Sequence, residues 1–387
     1  MLTVEQASEL ILREVPTLKI LEVPLASASG FVLAEDCASD LDMPPFDKSM
    51  MDGYAVRSSD PAGPLVVLED VPAGTLPSRD VAPGTCTKIM TGAPVPSGAD
   101  AVQQVEKTAR EGNRVTLLAP VRAGQNVAPR ASDLRRGERV LGAGQSIRAA
   151  EIGALAAIGK TRVRVFAKPR CAVFATGDEL VPPDASPGPG QIRNSNTAQL
   201  AAQVRSLGLE CEDLGIVRDD EAAIRSAIRE GLRRDVLLLS GGVSAGDWDL
   251  VIPALAAEGI PVVLHQVLIK PGKPFCFAPR LFGLPGNPVS AFVIFEVFVR
   301  PYLGRLMGAD LSRPRIRARL ESGTARSMER VQYLPASVRM ECGSPVARLL
   351  PWQGAADLFT VTKANAFAVV PTQTPVEPGE SIECMLL

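Results

Sequence analysis

The chain has 387 residues, 46% of them apolar and 22% charged, which predicts about two to four folded domains and argues against a disordered protein. Its net charge of −2 gives no general attraction to nucleic acid or to anionic membranes. The seven cysteines are dispersed without a CxxC pair, and His265 is the single histidine. A disulfide framework, a zinc-ligand cluster and a Ser-His-Asp triad are therefore disfavoured.

The first twelve residues lack the pattern of a signal peptide, and no apolar run reaches the roughly 18 residues that a membrane span needs. We therefore expect a cytoplasmic protein that does not cross a membrane.

In chain order, the N-terminal part predicts a helix over residues 3–18 with Thr3 as its cap, followed by a short strand over 19–25. Residues 42–56 are rich in Pro, Asp and Gly and indicate an ordered loop that leads into a strand. Short β-type runs then follow at 65–68, 85–90, 101–105 and 114–118, which predicts a small all-β unit. A helix over 151–158 and a strand over 163–166 complete this half.

From residue 168 onward, strands and helices alternate. Solid apolar strands are predicted at 170–176, 235–239 and 281–284, with a further strand at 214–217 and an extended segment at 262–269. Helices are predicted at 197–207, 220–233, 252–258 and 287–302. This alternation predicts a doubly wound α/β domain whose parallel sheet is covered on both faces. After residue 313 short strands return, at 315–320, 336–339 and 366–370.

The predicted fold class is thus multidomain α/β plus β. Its parts are an N-terminal helical/mixed domain (1–41 with 137–167), an inserted β-domain (42–136), the α/β domain (168–311) and a C-terminal β-domain (312–387).

Four loops of the α/β domain contain the candidate functional residues, since ligands of such sheets bind beyond the carboxyl ends of the strands. The loop after 235–239 is rich in glycine, which favours close approach of backbone N–H groups to an anion. Its candidate binding residues are Ser240, Gly241, Gly242, Ser244 and Gly246, followed by Asp249. The alternative is a tight turn with an aspartate helix cap.

Three further segments carry the same ambiguity. The segment 284–290 starts the last helix and offers Pro285, Gly286, Asn287 and Ser290; alternatively it is a well-built helix start, with Asn287 as cap and Pro288 in the first turn. Glu179 in 176–180 is a carboxylate at a strand end or a solvated turn acid. Lys270 and Lys273 form a compact cationic site suited to an oxyanion; alternatively they belong to a charged surface turn. Together the four loops indicate an anionic, phosphate-bearing ligand.

The motifs of these loops, together with two from the N-terminal half, resemble those of a known family. Six segments, in the family's order, together resemble MoeA and the gephyrin E domain: 47–56, 89–93, 176–180, 240–246, 270–274 and 284–290. The resemblance implies that the C-terminal domain is a β-barrel and that the α/β domain binds molybdopterin. It also implies a homodimer, whose cleft lies between the α/β domain of one subunit and the inserted β-domain of the other.

The implied reaction inserts molybdate into adenylylated molybdopterin, with Mg²⁺, and releases AMP and molybdenum cofactor. A MogA-type adenylyltransferase would deliver the substrate, and molybdoenzymes would receive the product. By position, the resemblance assigns the catalytic candidates Asp52, Thr91, Asp133, Glu179, Asp219, Asp249 and Lys270. Of these, Glu179, Asp219 and Asp249 are the magnesium candidates. It assigns the substrate-binding candidates Ser240, Gly241, Gly242, Ser244, Gly246, Lys273, Pro285, Gly286, Asn287 and Ser290.

The sequence departs from the family pattern at two cations. Ala128 stands where the family usually has an arginine, and Gln266 where it has a second active-site lysine. Arg130, Lys48 and Arg135 are candidates to compensate. The departures leave open the insertion of another oxyanion such as tungstate and a non-catalytic molybdopterin-binding or scaffold protein. A further alternative is an adenylyltransferase of the MogA type, which shares the α/β core, although the inserted and C-terminal β-domains argue against it.

Overall fold

The computed structural model describes residues 1–16, 19–61, 63–243, 250–322, 325 and 328–387. The α-helices of this part of the chain are α1 (Val4–Arg13), α2 (Ala149–Ala157), α3 (Asn196–Arg205), α4 (Glu221–Gly231), α5 (Val251–Ala257), α6 (Pro288–Ile294), α7 (Arg300–Leu306) and α8 (Leu358–Val361). A π-helical turn, Phe295–Val299, joins α6 to α7.

The strands fall into three groups. Those of the N-terminal half are β1 (Ile20–Pro24), β2 (Cys37–Ala38), β3 (Lys48–Ser49), β4 (Gly53–Val56), β5 (Pro64–Val71), β6 (Thr85–Ile89), β7 (Ala101–Gln104), β8 (Thr108–Glu111), β9 (Arg114–Leu117), β10 (Val127–Ala128), β11 (Arg139–Leu141) and β12 (Arg162–Phe166). Those of the α/β region are β13 (Cys171–Thr176), β14 (Leu180–Val181), β15 (Ile192–Arg193), β16 (Cys211–Val217), β17 (Val236–Ser240), β18 (Leu264–His265), β19 (Ile269–Lys270), β20 (Cys276–Ala278) and β21 (Leu281–Leu284). Those of the C-terminal part are β22 (Arg315–Ser322), β23 (Val331–Glu341), β24 (Ser344–Leu349), β25 (Ala366–Val370) and β26 (Ser381–Leu386).

Helix α1 shows the predicted cap but is shorter than predicted. The Thr3 hydroxyl accepts the Gln6 N–H, and the Gln6 side chain accepts the Thr3 N–H, which closes a capping box. The helix ends at Arg13 rather than at residue 18, because Pro16 follows and disfavours helical backbone before it. The buried face of α1 packs against the α/β domain.

The inserted segment forms the all-β unit that the short apolar runs predicted. Its sheet has the strand order β7-β4-β6-β5-β9-β8. Strand β4 is buried and lies between β7 and β6, with both of which it pairs antiparallel. The turn before β4 carries Asp52, and the turn after β6 carries Thr91, so the sheet brings these two residues to one end.

The α/β domain contains a sheet with the order β16-β13-β17-β21-β20-β18. The first four strands pair in parallel, as predicted, but β20 and β18 pair antiparallel. The prediction of an all-parallel sheet is therefore wrong for one edge. Two residues separate β20 from β21, with Arg280 at φ +68°, and so short a connection can join antiparallel strands alone.

Both faces of this sheet are covered, as the solid apolar strands predicted. Alternate residues of β17 point to opposite sides, so that Val236 and Leu238 pack in the core that includes α3 and α6, whereas Leu237 and Leu239 pack with α4 and α5. Full burial on both faces explains why β13 and β17 contain almost no polar residues.

The C-terminal strands close into a five-stranded barrel in the order β23-β24-β22-β26-β25, because β25 pairs back onto β23. The barrel also takes up a strand from the α/β region: β19 pairs in parallel with β23, with Lys270 opposite Gln332. The predicted extended segment 262–269 is therefore two short strands, β18 and β19, that belong to different sheets.

The predicted multidomain α/β plus β fold class is confirmed, although the predicted domain boundaries stay a prediction. None of the helices within the described ranges is both long and apolar enough to cross a membrane.

Candidate active site

A cavity of about 640 Å³ lies at the carboxyl ends of three adjacent parallel strands. Strand β13 ends at Thr176, β17 at Ser240 and β21 at Leu284, and the loops that follow all contribute to its wall. Of the predicted residues, those lining it are Glu179, Asp219, Ser240, Gly241, Gly242, Pro285, Gly286 and Asn287. The structure thus brings together three of the four loops that the sequence singled out.

The glycine loop approaches the neighbouring strand so closely that side chains are excluded. Gly241 has φ +99°, and a Cβ there would lie 2.3 Å from the Thr176 carbonyl oxygen. Gly242 has φ +63°, and its Cβ would lie 2.9 Å from the Val251 side chain. The backbone at this edge of the cavity is therefore open to a ligand, as anion binding requires.

Two carboxylates, Glu179 and Asp219, form an acidic side of the cavity. The Thr176 hydroxyl donates to one oxygen of Asp219 at 2.5 Å, and the Asp178 N–H donates to the other at 3.3 Å. These contacts fix the Asp219 carboxylate at the end of β13 while both of its oxygens keep unused acceptor capacity.

A further loop of the cavity was missed by sequence reasoning. Arg193, Asn194 and Ser195, just before α3, line it together with Asn196, the first residue of that helix. The Asn196 side-chain amide is 7% exposed and donates to Ser240 Oγ and to the Gly286 carbonyl, each at 2.7 Å. Ser240 Oγ in turn donates to the Pro285 carbonyl at 3.1 Å. Asn196 therefore connects the two predicted ligand loops.

The start of α6 differs from its prediction in one respect. Asn287 occupies the N-cap position and Pro288 the first turn, but the Asn287 side chain makes no capping hydrogen bond. The carboxamide instead lies at the wall shared by the cavity and a smaller hollow, where it can contact a ligand.

This smaller hollow, of about 370 Å³, adjoins the cavity, and the two have Pro274 and Asn287 in common. Lys270, Lys273 and Ser290 line it as predicted, together with Arg330 and Trp352, which the sequence did not indicate. Arg330 directly precedes β23, and the pairing of β19 with β23 brings it close to Lys270.

The smaller hollow is cationic. Across the described residues, Lys270, Lys273 and Arg330 have no ion pair with a carboxylate, and the lining residues include no acid. Lys270 Nζ instead lies 3.0 Å from the Met328 sulfur, a weak acceptor that leaves the ammonium able to bind an anion.

The predicted residues of the β-domain lie outside both hollows. The Thr91 N–H and hydroxyl both donate to one oxygen of Asp52 at 2.7 Å, and these bonds hold the pKa of Asp52 below its ordinary value. Asp133 accepts the Ser132 hydroxyl at 3.1 Å. None of the three residues lines the cavity of its own chain, as far as the described residues define that cavity.

The two departures from the family pattern have different surroundings. Ala128 pairs with Lys48 across β10 and β3, so a lysine stands beside the position of the missing arginine. Arg130 is engaged elsewhere, since its guanidinium pairs with Asp42 at 2.7 Å. Gln266 has φ +65° and lines neither hollow among the described residues.

Ser244, Gly246 and Asp249 lie outside the described residues, so three predicted site residues have no structural account. The remaining residues contain no cluster of three or more His, Cys, Asp or Glu side chains that could hold a metal ion.

Comparison with known proteins gives the family. Three family models match in succession: "MoeA N-terminal region (domain I and II)" over residues 2–159, "Probable molybdopterin binding domain" over 172–305, and "MoeA C-terminal region (domain IV)" over 317–387. The chain is also similar to molybdopterin molybdenumtransferase 2 of Mycobacterium tuberculosis, with 34% identity over 384 residues, or 92% of this chain and 94% of that protein.

The chain belongs to the MoeA family. The resemblance seen in its motifs is thereby confirmed.

Further MoeA relatives agree. The molybdopterin molybdenumtransferase of a Nostoc species is 41% identical over 302 residues, covering 74% of this chain and 69% of that protein. The crystal structure of a MoeA protein from Pyrococcus horikoshii matches all of this chain and 99% of its own, with a TM-score of 0.85 and 31% identity. Apart from Ala356, the residues that line the larger cavity lie within the segment that matches the molybdopterin-binding family model.

Proposed function

We propose that the protein is a molybdopterin molybdenumtransferase of molybdenum cofactor biosynthesis. It inserts molybdate into adenylylated molybdopterin and releases AMP and molybdenum cofactor. The names of its relatives support this transferase activity. The structural observation that carries the proposal is the adjacency of two hollows, one lined by backbone glycines and two carboxylates and one lined by three cations.

The two hollows suit the two reactants. Backbone amides of the glycine loop and the Asn287 amide bind the pterin nucleotide in the larger cavity. Lys270, Lys273 and Arg330 bind molybdate in the smaller hollow. Both reactants are anionic, so placing them side by side requires fixed donors and cations that offset their repulsion.

Glu179 and Asp219 fit a magnesium ion, because proteins commonly hold this ion through one or two carboxylates together with substrate phosphates. When bound, the ion would polarise the phosphoanhydride as a Lewis acid. The chain's own contribution is the orientation of Asp219 by the Thr176 hydroxyl. Asp249, the third predicted ligand, adds to this set as a proposal from the family pattern alone.

The active unit is proposed to be a homodimer. Asp52, Thr91 and Asp133 act in the predicted reaction, yet they lie away from the cavity of their own chain. A second copy that brings its β-domain to the cavity would supply them. Lys48, beside Ala128, would arrive with the same surface and supply a cation near the missing arginine.

Complementation between two inactive variants tests this arrangement. Asp52→Asn and Asp219→Asn should each abolish AMP release. In a dimer with shared sites, mixed and refolded variants should recover about a quarter of the wild-type rate, because half of the dimers carry one intact site. Recovery of no activity at all would show that both residues act within one chain.

The reaction itself is tested by incubating the protein with adenylylated molybdopterin, Mg²⁺ and molybdate while following AMP release. Molybdate-dependent release supports the transferase. Tight pterin binding without AMP would instead identify a binding or scaffold protein, consumption of ATP with free molybdopterin an adenylyltransferase, and faster release with tungstate a different oxyanion. The names of the relatives do not favour these alternatives.

A lysine variant tests whether the smaller hollow binds molybdate. Lys270→Gln should raise the KM for molybdate by about tenfold or more, since one charge-assisted contact is worth roughly that factor. Lys363→Gln, at an exposed lysine outside both hollows, is the matched control. Equal KM values for the two variants would remove Lys270 from the oxyanion site.

The seven thiols are all free, and six of them are buried, which supports the proposal that the protein works in the reducing cytoplasm. Delivery of substrate by a MogA-type adenylyltransferase and transfer of product to molybdoenzymes remain part of the proposal.

A further inference from the structure

A second pocket lies at the opposite edge of the α/β sheet. Lys168 and Arg170 precede β13, Arg233 and Arg234 precede β17, and Arg280 precedes β21. Because these strands run in parallel, their amino ends meet at one edge, and the basic residues before them line one concave pocket of about 330 Å³. We call this feature the basic pocket.

The charge of the basic pocket is strongly one-sided. Its lining contains six basic side chains, the five just named and Lys19, against one carboxylate, Asp235. Lys19 pairs with Asp235 at 2.9 Å, and the Arg170 N–H also donates to it at 2.9 Å. These contacts keep the pKa of Asp235 below its ordinary value although partial burial opposes the shift. The single acid of the lining is therefore already neutralised.

The other acids nearby neutralise two of the remaining cations. Glu230 pairs with Arg233 at 2.8 Å, and Glu212 and Glu230 pair with Arg234. Lys168, Arg170 and Arg280 have no ion pair with any carboxylate of the described chain. Three basic residues without a carboxylate partner in the described chain thus line one small concavity.

Two of these three cations are held in place before any ligand arrives. The Arg280 guanidinium donates to three backbone carbonyls at the end of α4 and in the turn after it, at 2.6–3.0 Å. The Lys168 ammonium lies over the Phe31 ring, 4.6 Å from its centre. Neither contact is to an anion, and both order the side chains in advance, which reduces the entropy cost of binding an anion.

The basic pocket is separate from the proposed active site. The strand that connects the two, β13, has six residues, and at about 3.3 Å per residue its ends lie roughly 17 Å apart. No residue lines both the basic pocket and either catalytic hollow within the described ranges. The volume is at the lower end of the roughly 300–1,000 Å³ that is usual for small-molecule sites.

We propose that the basic pocket binds a small phosphate-bearing anion, independently of the proposed catalytic site. Arginine and lysine side chains that line a concavity suit phosphate oxygens, and the small concave volume favours a metabolite over the flat face of a macromolecule.

Calorimetric titration of the full-length protein with pyrophosphate tests the proposal. The Lys168→Gln/Arg170→Gln double variant should bind pyrophosphate at least tenfold more weakly at this site, since each charge-assisted contact is worth about a factor of ten. The Lys270→Gln/Lys273→Gln variant should keep the site, because its substitutions lie in the other hollow. Affinity should also fall as the salt concentration rises.

The matched control is Lys107→Gln/Arg114→Gln, which removes the same charge from the exposed surface of the β-domain. Wild-type affinity in the Lys168/Arg170 variant, or an equal loss in the control, would overturn the proposal. Binding of a glutamate-rich peptide without binding of pyrophosphate would also overturn it. If the double variant melts below the wild type, Arg170→Gln alone, at an exposed side chain without a hydrogen bond in the described chain, decides the same question.

Discussion

Replacing Asn196 by Ala should separate two loops of the proposed active site. The substitution removes both 2.7 Å bonds, to Ser240 Oγ and to the Gly286 carbonyl, at a side chain that is nearly buried. Each lost bond costs about 0.5–1.5 kcal/mol, and the carbonyl left without a donor adds about 1–3 kcal/mol. We therefore expect the variant to lose about 2–6 kcal/mol of stability.

The effect on catalysis should be larger than stability alone explains. A shift of about 1 Å in groups that position a reactant can cost a hundredfold, so kcat/KM for AMP release should fall by about 10- to 100-fold. Gln203→Ala is the matched control, because Gln203 is a buried amide on the same helix that donates to Glu296 at 2.7 Å and does not line the cavity.

Urea unfolding and steady-state kinetics together decide the role of Asn196. The control should lose a similar amount of stability and keep most of its kcat/KM. If both variants kept equal kcat/KM values, Asn196 would be a structural residue without a part in positioning the loops.

Two further predictions concern charge. Glu296→Ala should lower the free energy of unfolding in urea by about 3–5 kcal/mol, because Glu296 is 2% exposed and pairs with Arg313 at 2.6 Å. Glu341→Ala removes an exposed ion pair and should lower it by less than about 1 kcal/mol. Equal losses of stability in the two variants would contradict this account. Thr91→Val should raise the pKa of Asp52 towards its ordinary value. Because that pKa is depressed in the folded protein, the Asp52–Thr91 contact is intact above the unfolded pKa and is lost as the pH falls through the folded one. Carboxyl NMR titration should therefore show the variant protonating at higher pH than the wild type, and superimposable curves would refute the cause assigned.

Much of the fold could be predicted from apolar patterns. The runs at β13 and β17 are apolar without alternation because both faces of the sheet are covered, and that pattern identifies buried parallel strands. The antiparallel edge was missed because β20 and β21 are also buried apolar runs, and composition does not encode strand direction. The two-residue connection between them was the available signal.

The segment 262–269 shows a different limit. It contains the strands β18 and β19, yet these pair with partners at very different distances along the chain. His265 pairs with Cys276, 11 residues further on, whereas Ile269 pairs with Val331, 62 residues further on. Local sequence predicts that a segment is extended, whereas the choice of sheet depends on the tertiary packing of both partners.

The site was predictable where backbone chemistry required particular residues. Gly241 and Gly242 are needed because any Cβ would clash, and glycines after a buried strand are visible in sequence. Asn196 was missed because an asparagine directly before the predicted helix 197–207 has a simpler interpretation, as a helix cap. Arg330 was missed because it lies 60 residues after Lys270 in the sequence and reaches the hollow only through the pairing of β19 with β23. No local sequence pattern encodes such a pairing.

The pairing of β19 with the barrel has a mechanical consequence. Lys270 is held on one side by the α/β domain and on the other by the backbone of Gln332, so the barrel cannot tilt against the α/β domain without displacing this lysine. A molecule that bound any outer face of the barrel and altered that tilt would thus change the affinity for the oxyanion from a distance. Such long-range control would require no contact with the reactants.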